Sequence, residues 1–370
     1  MKIGLDLRML NGGSGISRYI TELSQQILTL DKHNQYVLFF NKLDATTKNL
    51  YEKFNQRMVE TNIAHYSLAE QLSFVSILNK ESLDLVHFPH FNAPILYGKK
   101  FVVTIHDLTH TKFPGKKASH VLHRAAYNLT MLNAIKRSNQ IIAVSESTKN
   151  EVKEYFHVKD EKIKVVYEGY NNSYKVLDRE EAQKNVKDKF NITKPYLLYV
   201  GVWRRYKNLP ALANVFDRLV ESGLDVELVL AGEPDPFYPE IKAQIMGIKH
   251  NDRIKAVGRV SDEDLNYLYN GSRIFVLPSL AEGFGLTALE AGACGVPVVC
   301  SDIPTLREVM GQGAEFFDPY NEDNMFDVID NVISNENRLE ELANAALARS
   351  KHFSWAKAAT ETIKIYESTK

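Results

Sequence analysis

The sequence has little that marks a secreted, membrane or disulfide-rich protein. Among 370 residues there are two cysteines, and Cys294 and Cys300 are too far apart for a Cys-x-x-Cys metal or redox pair. The longest apolar runs, such as Ile274–Leu277, have the length of a strand and not of a membrane span. The first residues lack the apolar stretch of a signal peptide. We therefore expect a cytoplasmic protein in a reducing compartment.

The chain also lacks an excess of either positive or negative charge. The chain has 45 Lys and Arg residues against 46 Asp and Glu residues, for a formal net charge of −1. A nearly neutral chain is not a polyelectrolyte binder, so no nucleic-acid partner is expected, and attraction to a charged surface must come from a local patch. Hydrophobic residues at 44% and charged residues at 25% exclude a disordered chain. The length fits two domains, each with its own core.

Short apolar runs alternate with longer amphipathic segments along the whole chain. This pattern predicts an α/β fold in which helices cover both faces of parallel sheets. The predicted strands of a first series are Lys2–Leu7, Tyr36–Phe40, Leu83–Phe88, Phe101–Ile105, Gln140–Val144 and Ile163–Val166. Those of a second series are Tyr196–Val200, Val226–Ala231, Ile254–Val257, Ile274–Leu277 and Val296–Cys300.

The two series indicate two Rossmann-like, doubly wound domains that face each other across a cleft. The polar sequence between Gly169 and Lys194 contains no strand candidate and marks the boundary. We predict a first domain over residues 1–172, a linker at 173–194 and a second domain at 195–353. The last amphipathic segment, 354–370, follows no strand and is expected to pack back on the first domain.

The first glycine-bearing loop follows the first predicted strand and holds Gly12, Gly13 and Gly15. Glycines allow the backbone to approach a phosphate or a sugar closely. The dinucleotide-binding fingerprint needs a further glycine where this chain has Arg18, which disfavours a nicotinamide- or flavin-dependent oxidoreductase. A simple strand-to-helix turn is the alternative interpretation.

The second loop, residues 201–208, carries Arg204, Arg205 and Lys207 at the carboxyl end of a predicted strand. Three cations so close together repel each other unless they are solvated or face an anion. A diphosphate is a suitable anion, because arginine offers a bidentate fork and lysine a point charge. The alternative is a solvated surface loop.

A third loop precedes a predicted helix that starts near Gly285. The free N–H groups at the start of this helix predict a phosphate site. Glu282 before the helix and Glu290 inside it can each reach hydroxyl groups on one side of that phosphate, and sugars on both sides of a diphosphate describe a nucleotide sugar. The residues predicted to contact it are Glu282, Gly283, Phe284, Gly285, Leu286, Thr287 and Glu290. Alternatively, Glu290 is a residue of the helix surface and Glu282 is a cap.

His106 follows the predicted strand Phe101–Ile105. A histidine at the carboxyl end of a strand can donate a hydrogen bond to a sugar hydroxyl or a phosphate oxygen, although it can equally be a satisfied core histidine. The Asp-x-Asp at Asp262 and Asp264 follows Ser261, which predicts a helix capping box rather than a metal site. No metal and no cofactor are therefore expected.

The segment from Glu282 to Glu290, with its Glu-x7-Glu spacing, resembles the signature of the retaining glycosyltransferases of family 4, which have the GT-B fold. The resemblance covers nearly the whole chain. Its other segments are Gly15–Tyr19, Thr104–Leu108, Ala143–Ser147, Val165–Gly169, Val257–Ser261 and Phe353–Trp355.

The resemblance assigns a role to individual residues. Glu290 matches the glutamate that holds the ribose, and Glu282 matches the one that contacts the transferred sugar. Lys207 matches the lysine on the diphosphate, and His106 matches the histidine over the reaction centre. The loop with Gly12 or Gly13 is expected near that diphosphate.

One departure from the family concerns the residue before Lys207. Family members usually carry arginine there, whereas this chain has Tyr206. The second cation is then expected from Arg204 or Arg205, and the sequence does not decide between them.

The resemblance also implies a reaction. The first domain would bind the acceptor, and the second would bind a nucleoside-diphosphate sugar, with GDP-mannose favoured over UDP- and dTDP-linked sugars. A hexose would pass with retention to a hydroxyl of a glycan or a lipid-linked glycan, as in the synthesis of lipopolysaccharide and other surface polysaccharides. Two alternatives stay open: a catalytically silent GT-B regulatory subunit that binds nucleotide, and a sugar-nucleotide epimerase.

Residues 112–137 form a basic stretch without any acidic residue. Its cations are interleaved with apolar residues and are Lys112, Lys116, Lys117, Arg124, Lys136 and Arg137. This composition indicates a basic amphipathic surface that suits an anionic bilayer, and so peripheral contact with the inner face of the cytoplasmic membrane. An ordinary solvated helix that covers the core is the alternative.

Overall fold

The computed structural model describes residues 1–10, 15–113 and 121–369. The chain divides into two compact units. Unit 1 comprises Met1–Gly169 together with Ser354–Lys370, and unit 2 comprises Tyr170–Phe353. The last segment of the chain therefore belongs with the first residues.

Unit 1 is built on one parallel sheet. Its described elements up to residue 165 are β1 (Lys2–Asp6), α1 (Gly15–Leu30), β2 (Gln35–Phe40), α2 (Ala45–Tyr51), β3 (Arg57–Glu60), α3 (Val75–Lys80), β4 (Leu85–Phe88), β5 (Phe101–Ile105), α4 (Thr109–Lys112), α5 (Val121–Arg137), β6 (Gln140–Ala143), α6 (Glu146–Phe156) and β7 (Ile163–Val165). The strand order is β3-β2-β1-β4-β5-β6-β7. The order reverses between β1 and β4, and in doubly wound sheets ligands bind at such a point, outside the carboxyl ends of the strands.

Unit 2 repeats this design with six parallel strands. Its described elements are α7 (Arg179–Phe190), β8 (Tyr196–Val200), α8 (Leu209–Glu221), β9 (Glu227–Ala231), α9 (Pro239–Met246), β10 (Ile254–Gly258), α10 (Asp262–Gly271), β11 (Ile274–Leu277), α11 (Leu286–Ala293), β12 (Val298–Ser301), α12 (Pro304–Met310), β13 (Glu315–Phe317), α13 (Glu322–Ile333) and α14 (Glu336–Ser350). The strand order is β10-β9-β8-β11-β12-β13, so it reverses between β8 and β11.

The central strands are near-continuous apolar runs because helices cover both faces of each sheet. All residues of β5 and of β11 are buried. On α1 the buried residues Tyr19, Leu23 and Ile27 recur every four positions and form one stripe along the helix. This alternation of buried strands and one-sided helices is the pattern that the sequence predicts.

The last helix, α15 (Trp355–Ser368), anchors the end of the chain in unit 1. Its Tyr366 hydroxyl lies 2.6 Å from Nδ1 of His87, and its Trp355 ring packs edge-on against Tyr19 of α1. Gly169 approaches this helix so closely that a Cβ there would lie 2.3 Å from the backbone nitrogen of Trp355.

Residues 173–194, predicted as a linker, lie in unit 2 and contain helix α7. The polar composition of this stretch belongs to a helix with a broad solvated face, because only Ala182 and Val186 of α7 are buried. The stretch packs against α10, where Asn266 and Asn270 bind its backbone.

The capping box predicted at the start of α10 is confirmed. The Ser261 hydroxyl accepts a hydrogen bond from the Asp264 amide at 3.1 Å. The Asp264 carboxylate binds Lys189, and Asp262 accepts from the Tyr174 hydroxyl at 2.9 Å. Within the described ranges, no cluster of three or more His, Cys, Asp or Glu side chains is arranged to hold a metal ion.

The cysteines and the helices of the structure both agree with the amino-acid composition. Cys294 and Cys300 are both buried free thiols. Among the helices that the structure describes, none combines the length and the apolar character needed to span a bilayer.

Candidate active site

The loops after β8 and β11 meet where the strand order of unit 2 reverses. Lys207 Nζ lies 2.6 Å from Glu282 Oε1, and both side chains are largely buried. The amide of Leu280 donates to the carbonyl of Tyr206 at 2.7 Å, which joins the two loops through their backbones. Two of the predicted site residues are therefore in direct contact at the position where a doubly wound sheet binds its ligand.

Lys207 is held as a charged ammonium. Burial lowers its pKa, but the nearby Glu282 carboxylate and the Tyr206 and Tyr199 side chains raise it, and the net pKa lies above the usual lysine value. Its ammonium lies 5.4 Å from the centre of the Tyr206 ring. Lys207 therefore presents a point charge at every physiological pH.

The other two cations of this loop also have acidic partners in unit 2. Arg204 Nε donates to Asp235 at 2.9 Å, and Arg205 Nη2 donates to Glu240 at 2.9 Å. The repulsion expected from the sequence is therefore relieved inside the protein. The Arg205 side chain is 64% exposed, so its ion pair contributes little to stability and can exchange partners readily.

Helix α11 begins with a glycine that the backbone requires. Gly285 has φ of +90°, and a Cβ at this position would lie 2.6 Å from Leu306 Cδ2. Because the helix starts at Leu286, the amides of Leu286 and Thr287 have no intrahelical acceptor and form its positive end. Before the helix, Phe284 is buried and its ring packs edge-on against Phe353. The start of α11 is thus a rigid candidate for anion binding.

Glu290 lies inside unit 2 and is not a residue of the helix surface. It is 1% exposed, and the Tyr269 hydroxyl donates to its Oε2 at 3.2 Å. Tyr269 in turn packs edge-on against Tyr174 and Phe275. The carboxylate is therefore pre-oriented, as a ribose ligand needs to be, and its assignment to the ribose stays a prediction.

In unit 1 the ring of His106 is held from both sides. Its Nε2 lies 2.9 Å from the carbonyl oxygen of Pro89, and its Nδ1 lies 3.3 Å from Glu168 Oε1. Burial lowers the pKa of His106, but hydrogen bonding and charge from Glu168, with the Pro89 carbonyl and Asp107, raise it above the usual value. Both ring nitrogens face oxygen atoms that can accept a hydrogen bond, an arrangement that favours the protonated ring. A contact of its ring with a sugar remains a prediction.

The His106–Glu168 pair predicts a pH-dependent stability. The folded pKa of His106 exceeds the unfolded value of about 6.5, so its charge stabilises the fold below that pH and the contribution disappears as pH rises through the folded pKa. Urea unfolding of the wild type and of Glu168→Gln should therefore differ most near pH 6 and converge at alkaline pH. The exposed Glu161 supplies the control, since Glu161→Gln should give a pH-independent difference. A wild-type advantage that grows with pH would contradict the pairing.

The glycine loop of unit 1 is only partly described. Gly12 and Gly13 lie outside the described residues. Gly15 is the first residue of α1 and is exposed, and a Cβ there would meet no atom of the described residues within 4 Å. Its predicted contact with the nucleotide stays a prediction.

Several residues that hold these site residues in place have no predicted role in the sequence. Glu168, Asp235, Glu240 and Tyr269 hold His106, the two arginines and Glu290. The position of Glu168 could have been predicted from the sequence, because it follows the predicted strand Ile163–Val166 and so lies at the same sheet edge as His106. The other three follow from tertiary contacts alone.

Comparison with known proteins identifies the family. Residues 13–174 match the model of Glycosyltransferase Family 4, and residues 179–349 match that of Glycosyl transferases group 1. The chain is 31% identical to O-antigen chain mannosyltransferase B of Escherichia coli over 291 residues, which cover 76% of this chain and 74% of that protein. The chain belongs to the group 1 glycosyltransferases. The resemblance to family 4 and to surface-polysaccharide mannosyltransferases is confirmed.

Solved structures confirm the GT-B fold of this glycosyltransferase. Sucrose-phosphate synthase from Thermosynechococcus elongatus matches with a TM-score of 0.81 at 18% identity, covering 100% of this chain and 98% of that one. Anabaena HepE in complex with UDP and glucose matches with a TM-score of 0.78 at 19% identity, covering 100% of both chains. At these identities the likeness concerns the fold.

Proposed function

We propose that this glycosyltransferase moves a mannosyl group, with retention, from GDP-mannose to a hydroxyl of a glycan or lipid-linked glycan in surface-polysaccharide synthesis. The observation that carries the proposal is the Lys207–Glu282 contact beside the start of α11, at the reversal of strand order in unit 2. Mannose is proposed because the Escherichia coli relative is an O-antigen chain mannosyltransferase. HepE was solved with UDP and glucose, so UDP-sugars are the main competing donors.

The proposed chemistry depends on stabilising the leaving group. Negative charge grows on the diphosphate as its bond to the anomeric carbon breaks, and the acceptor oxygen takes its place on the same face of the sugar. The acceptor proton passes to the departing phosphate oxygen. Lys207 and the amides of Leu286 and Thr287 would bind this growing charge, so the reaction needs no metal cofactor. When the donor binds, the Glu282 carboxylate would lose its contact with the Lys207 ammonium and accept hydrogen bonds from hydroxyl groups of the transferred sugar.

The donor can be identified by ligand-dependent stabilisation. GDP, UDP and dTDP are each added at millimolar concentration, and thermal unfolding is followed. A nucleotide present at about 100 times its dissociation constant adds about 2.7 kcal/mol to the unfolding free energy. We expect the largest shift with GDP, and release of mannose from GDP-mannose without an acceptor. A larger shift with UDP would identify a UDP-sugar as the donor in place of GDP-mannose. Nucleotide binding without any hydrolysis or transfer would favour a silent nucleotide-binding subunit.

We propose that Arg204, and not Arg205, supplies the second cation. Arg204 hydrogen-bonds both Asp235 and Tyr206, and the Tyr206 ring also lies next to Lys207, whereas Arg205 is turned toward Tyr238 and Glu240. We expect Arg204→Ala to weaken binding of the nucleoside diphosphate about tenfold, as for one charged hydrogen bond.

Arg205→Ala is the matched control, because it removes the same charge one residue away. Titration calorimetry should give it a dissociation constant within about threefold of the wild type. The reverse order of the two variants would assign the second cation to Arg205.

We also propose that unit 1 contacts an anionic bilayer through a leucine face, defined by the exposed residues Leu68, Leu72, Leu96, Leu129 and Leu132. Two hydrogen bonds join the segments that carry these leucines: Gln71 accepts from the Ile95 amide, and Arg137 donates to the Ile95 carbonyl. Lys136 is exposed on the same helix as Leu129 and Leu132. Large exposed apolar side chains beside cations are typical of interfacial membrane binding.

Other parts of the basic stretch do not enter this face. Tyr127 and Met131 pack toward the core, and Lys112 pairs with Glu151. Lys116 and Lys117 lie outside the described residues. One side of α5 therefore covers the core, and the opposite side is the one that we propose contacts the membrane.

Vesicle co-sedimentation tests the leucine face. We expect the wild type to sediment with vesicles that contain phosphatidylglycerol at low salt, and to remain in solution with pure phosphatidylcholine vesicles. The double variant Leu72→Ser/Leu96→Ser should lose binding. Tyr320→Ser, which changes a 75% exposed apolar residue of unit 2, should bind like the wild type. Binding by the leucine variant equal to that of the wild type would contradict this surface.

A further inference from the structure

A cavity lies at the edge of the unit 1 sheet where the strands begin. It is formed by the two connections that lead into β6 and β7, residues 135–140 and 157–162. His106 follows the carboxyl end of β5, so it lies at the opposite edge of the same sheet. The cavity has a volume of about 380 Å³, which is in the usual range for a small-molecule site.

Positive charge dominates the lining of this cavity. The described residues that line it include Lys136, Lys159 and Lys162 but one carboxylate, that of Glu161. Lys136 and Lys159 are exposed and Lys162 is half-buried, so a ligand can reach the lysine side chains from solvent. Glu161 is 78% exposed and lies 3.8 Å from Lys159, which is beyond hydrogen-bond distance. This carboxylate therefore neutralises little of the charge.

Lys136 and Lys162 lie close together and form no ion pair within the part of the chain that the structure describes. Lys162 Nζ donates to the carbonyl of Lys136 at 2.7 Å. Burial lowers the pKa of Lys162, and the charge of Lys136 lowers it further. Asp160 belongs to the same connection, but it binds Lys149 and Lys153 of α6. An anion in the cavity would relieve the repulsion between the two ammonium groups.

The ends of two helices do not cancel this positive charge. α5 and α6 both end beside the cavity, and two helix ends contribute a charge of about −1 in total. Three lysines against one carboxylate and these helix ends leave an excess of about +1. Three of the last four carbonyls of α5 are also bound within the protein. Ser138 donates to the carbonyls of Ala134 and Ile135, and Lys162 donates to that of Lys136.

Asn139 adds a fixed hydrogen-bond donor to the lining. Its Oδ1 accepts from the Phe101 amide at 3.1 Å, and its own amide donates to the Phe101 carbonyl at 2.8 Å. Because Oδ1 must face this N–H group, the orientation of the side-chain amide is determined and Nδ2 is left to donate elsewhere. Asn139 is exposed and lines the cavity. Ammonium and amide donors suit a ligand whose polar atoms all accept hydrogen bonds.

A phosphate monoester meets these requirements. It carries a charge of about −1.5 to −2 at neutral pH and three strong acceptor oxygens. Lysine binds phosphate as a point charge. The cavity is larger than a phosphate group needs, and Val158 offers apolar surface to the esterified part of the ligand.

We propose that this cavity binds the phosphate group of a phosphate monoester, with Lys136, Lys162 and Asn139 as its donors. Binding here is independent of the proposed glycosyl transfer, because none of the residues assigned to that reaction lines the cavity. The same phosphate group occurs in soluble esters and in the head group of a lipid. Leu129, Leu132 and Lys136 share one side of α5 by their spacing, so the acyl chains of a lipid ligand would pack along the two leucines.

NMR of the His157 ring tests the site without relying on activity. His157 is exposed and lines the cavity, and its ring signals are assigned from His157→Ala. The full chain is titrated with glycerol 3-phosphate at constant pH. We expect a saturable shift of the His157 signals and no shift with sodium chloride at equal ionic strength. The exposed His33 is the internal control and should not respond. If glycerol 3-phosphate leaves the His157 signals unchanged, or chloride shifts them equally, the proposal is wrong.

Two variants identify the donors. Lys162→Met and Lys136→Met keep the length of the side chain and remove the ammonium, and each should weaken binding about tenfold, as for one charged hydrogen bond. The Lys136 ammonium holds no other described residue, so its variant tests the site even where Lys162→Met unfolds. Lys164→Met is the matched control, because Lys164 is an exposed residue of β7 outside the cavity, and its affinity should stay within about twofold. Wild-type affinity in both folded variants would overturn the proposal.

Dihexanoyl phosphatidic acid identifies the source of the phosphate. Below its micelle concentration it presents the same glycerol 3-phosphate group with two acyl chains added. Binding about tenfold tighter than that of glycerol 3-phosphate, as expected from burial of about two methylene groups, and lost in Leu132→Ser would identify a lipid ligand. Equal affinity for the two compounds would identify a soluble monoester. Binding of neither compound would overturn the site and leave the proposed glycosyl transfer untouched.

Discussion

Replacement of Lys207 by alanine is expected to lower turnover about 100-fold or more, equivalent to about 2.7–4 kcal/mol of barrier. The ammonium is buried beside Glu282 and keeps its charge at every physiological pH, so it can stabilise charge that grows on a diphosphate. Because that charge is greatest in the transition state, kcat should fall more than donor affinity. Steady-state kinetics with GDP-mannose measures both.

The control for Lys207 must separate lost catalysis from lost folding. Removal of the ammonium leaves Glu282 without its partner, which is expected to destabilise unit 2. Thermal unfolding of Lys207→Ala shows whether the protein is still folded at the assay temperature. Arg205→Ala removes a nearby exposed cation and should retain nearly full turnover. Wild-type turnover by folded Lys207→Ala would remove this residue from the mechanism.

Replacement of Gly232 by alanine is expected to destabilise unit 2 by about 3 kcal/mol or more, as for other substitutions that force two backbones apart. Gly232 has φ of +130°, and a Cβ there would lie 2.1 Å from the carbonyl oxygen of Gly201. The loops after β8 and β9 carry Arg204 and Asp235, so the clash would also separate this ion pair. Thermal or urea unfolding should show the loss directly.

Gly223→Ala separates the clash from the backbone conformation. Gly223 also has positive φ, at +104°, but a Cβ there would lie more than 4 Å from every atom in the part of the chain that the structure describes. Its substitution should cost only the strain of the conformation, about 1 kcal/mol. Equal losses in the two variants would show that close approach of the two loops is unimportant.

The sequence alone predicts which residues lie at the carboxyl ends of the buried strands. Each buried strand appears in the chain as an apolar run, and parallel strands present their carboxyl ends at one edge of the sheet. Lys207 and Glu282 follow the two strands between which the order reverses, so their contact could be predicted as an approximate position, though not as a direct ion pair.

Two of the edge strands, β3 and β13, and the polar helix α7 could not be predicted in this way. β3 has no buried residue, and β13 is three residues long, so neither forms a buried apolar run. α7 buries two of its twelve residues, so its polar sequence predicts a linker instead of a helix. In each case the neighbouring elements, and not the local sequence, supply the stabilising contacts.

The acidic partners of the site cations were also beyond sequence reasoning. Asp235 and Glu240 lie 31 and 35 residues after the arginines that they bind. No periodicity links such positions, because the contact depends on how the loops after β8 and β9 approach each other. The three adjacent cations therefore do not depend on solvent or an external anion alone, since the protein itself supplies acidic partners.

A crystal structure of the protein with GDP-mannose tests the central claim most directly. We expect the diphosphate to lie within hydrogen-bond distance of Lys207 Nζ and of the amides of Leu286 and Thr287, with Glu290 on the ribose and Glu282 on the mannose. A diphosphate bound elsewhere, with the Lys207–Glu282 pair intact and the start of α11 unoccupied, would contradict it.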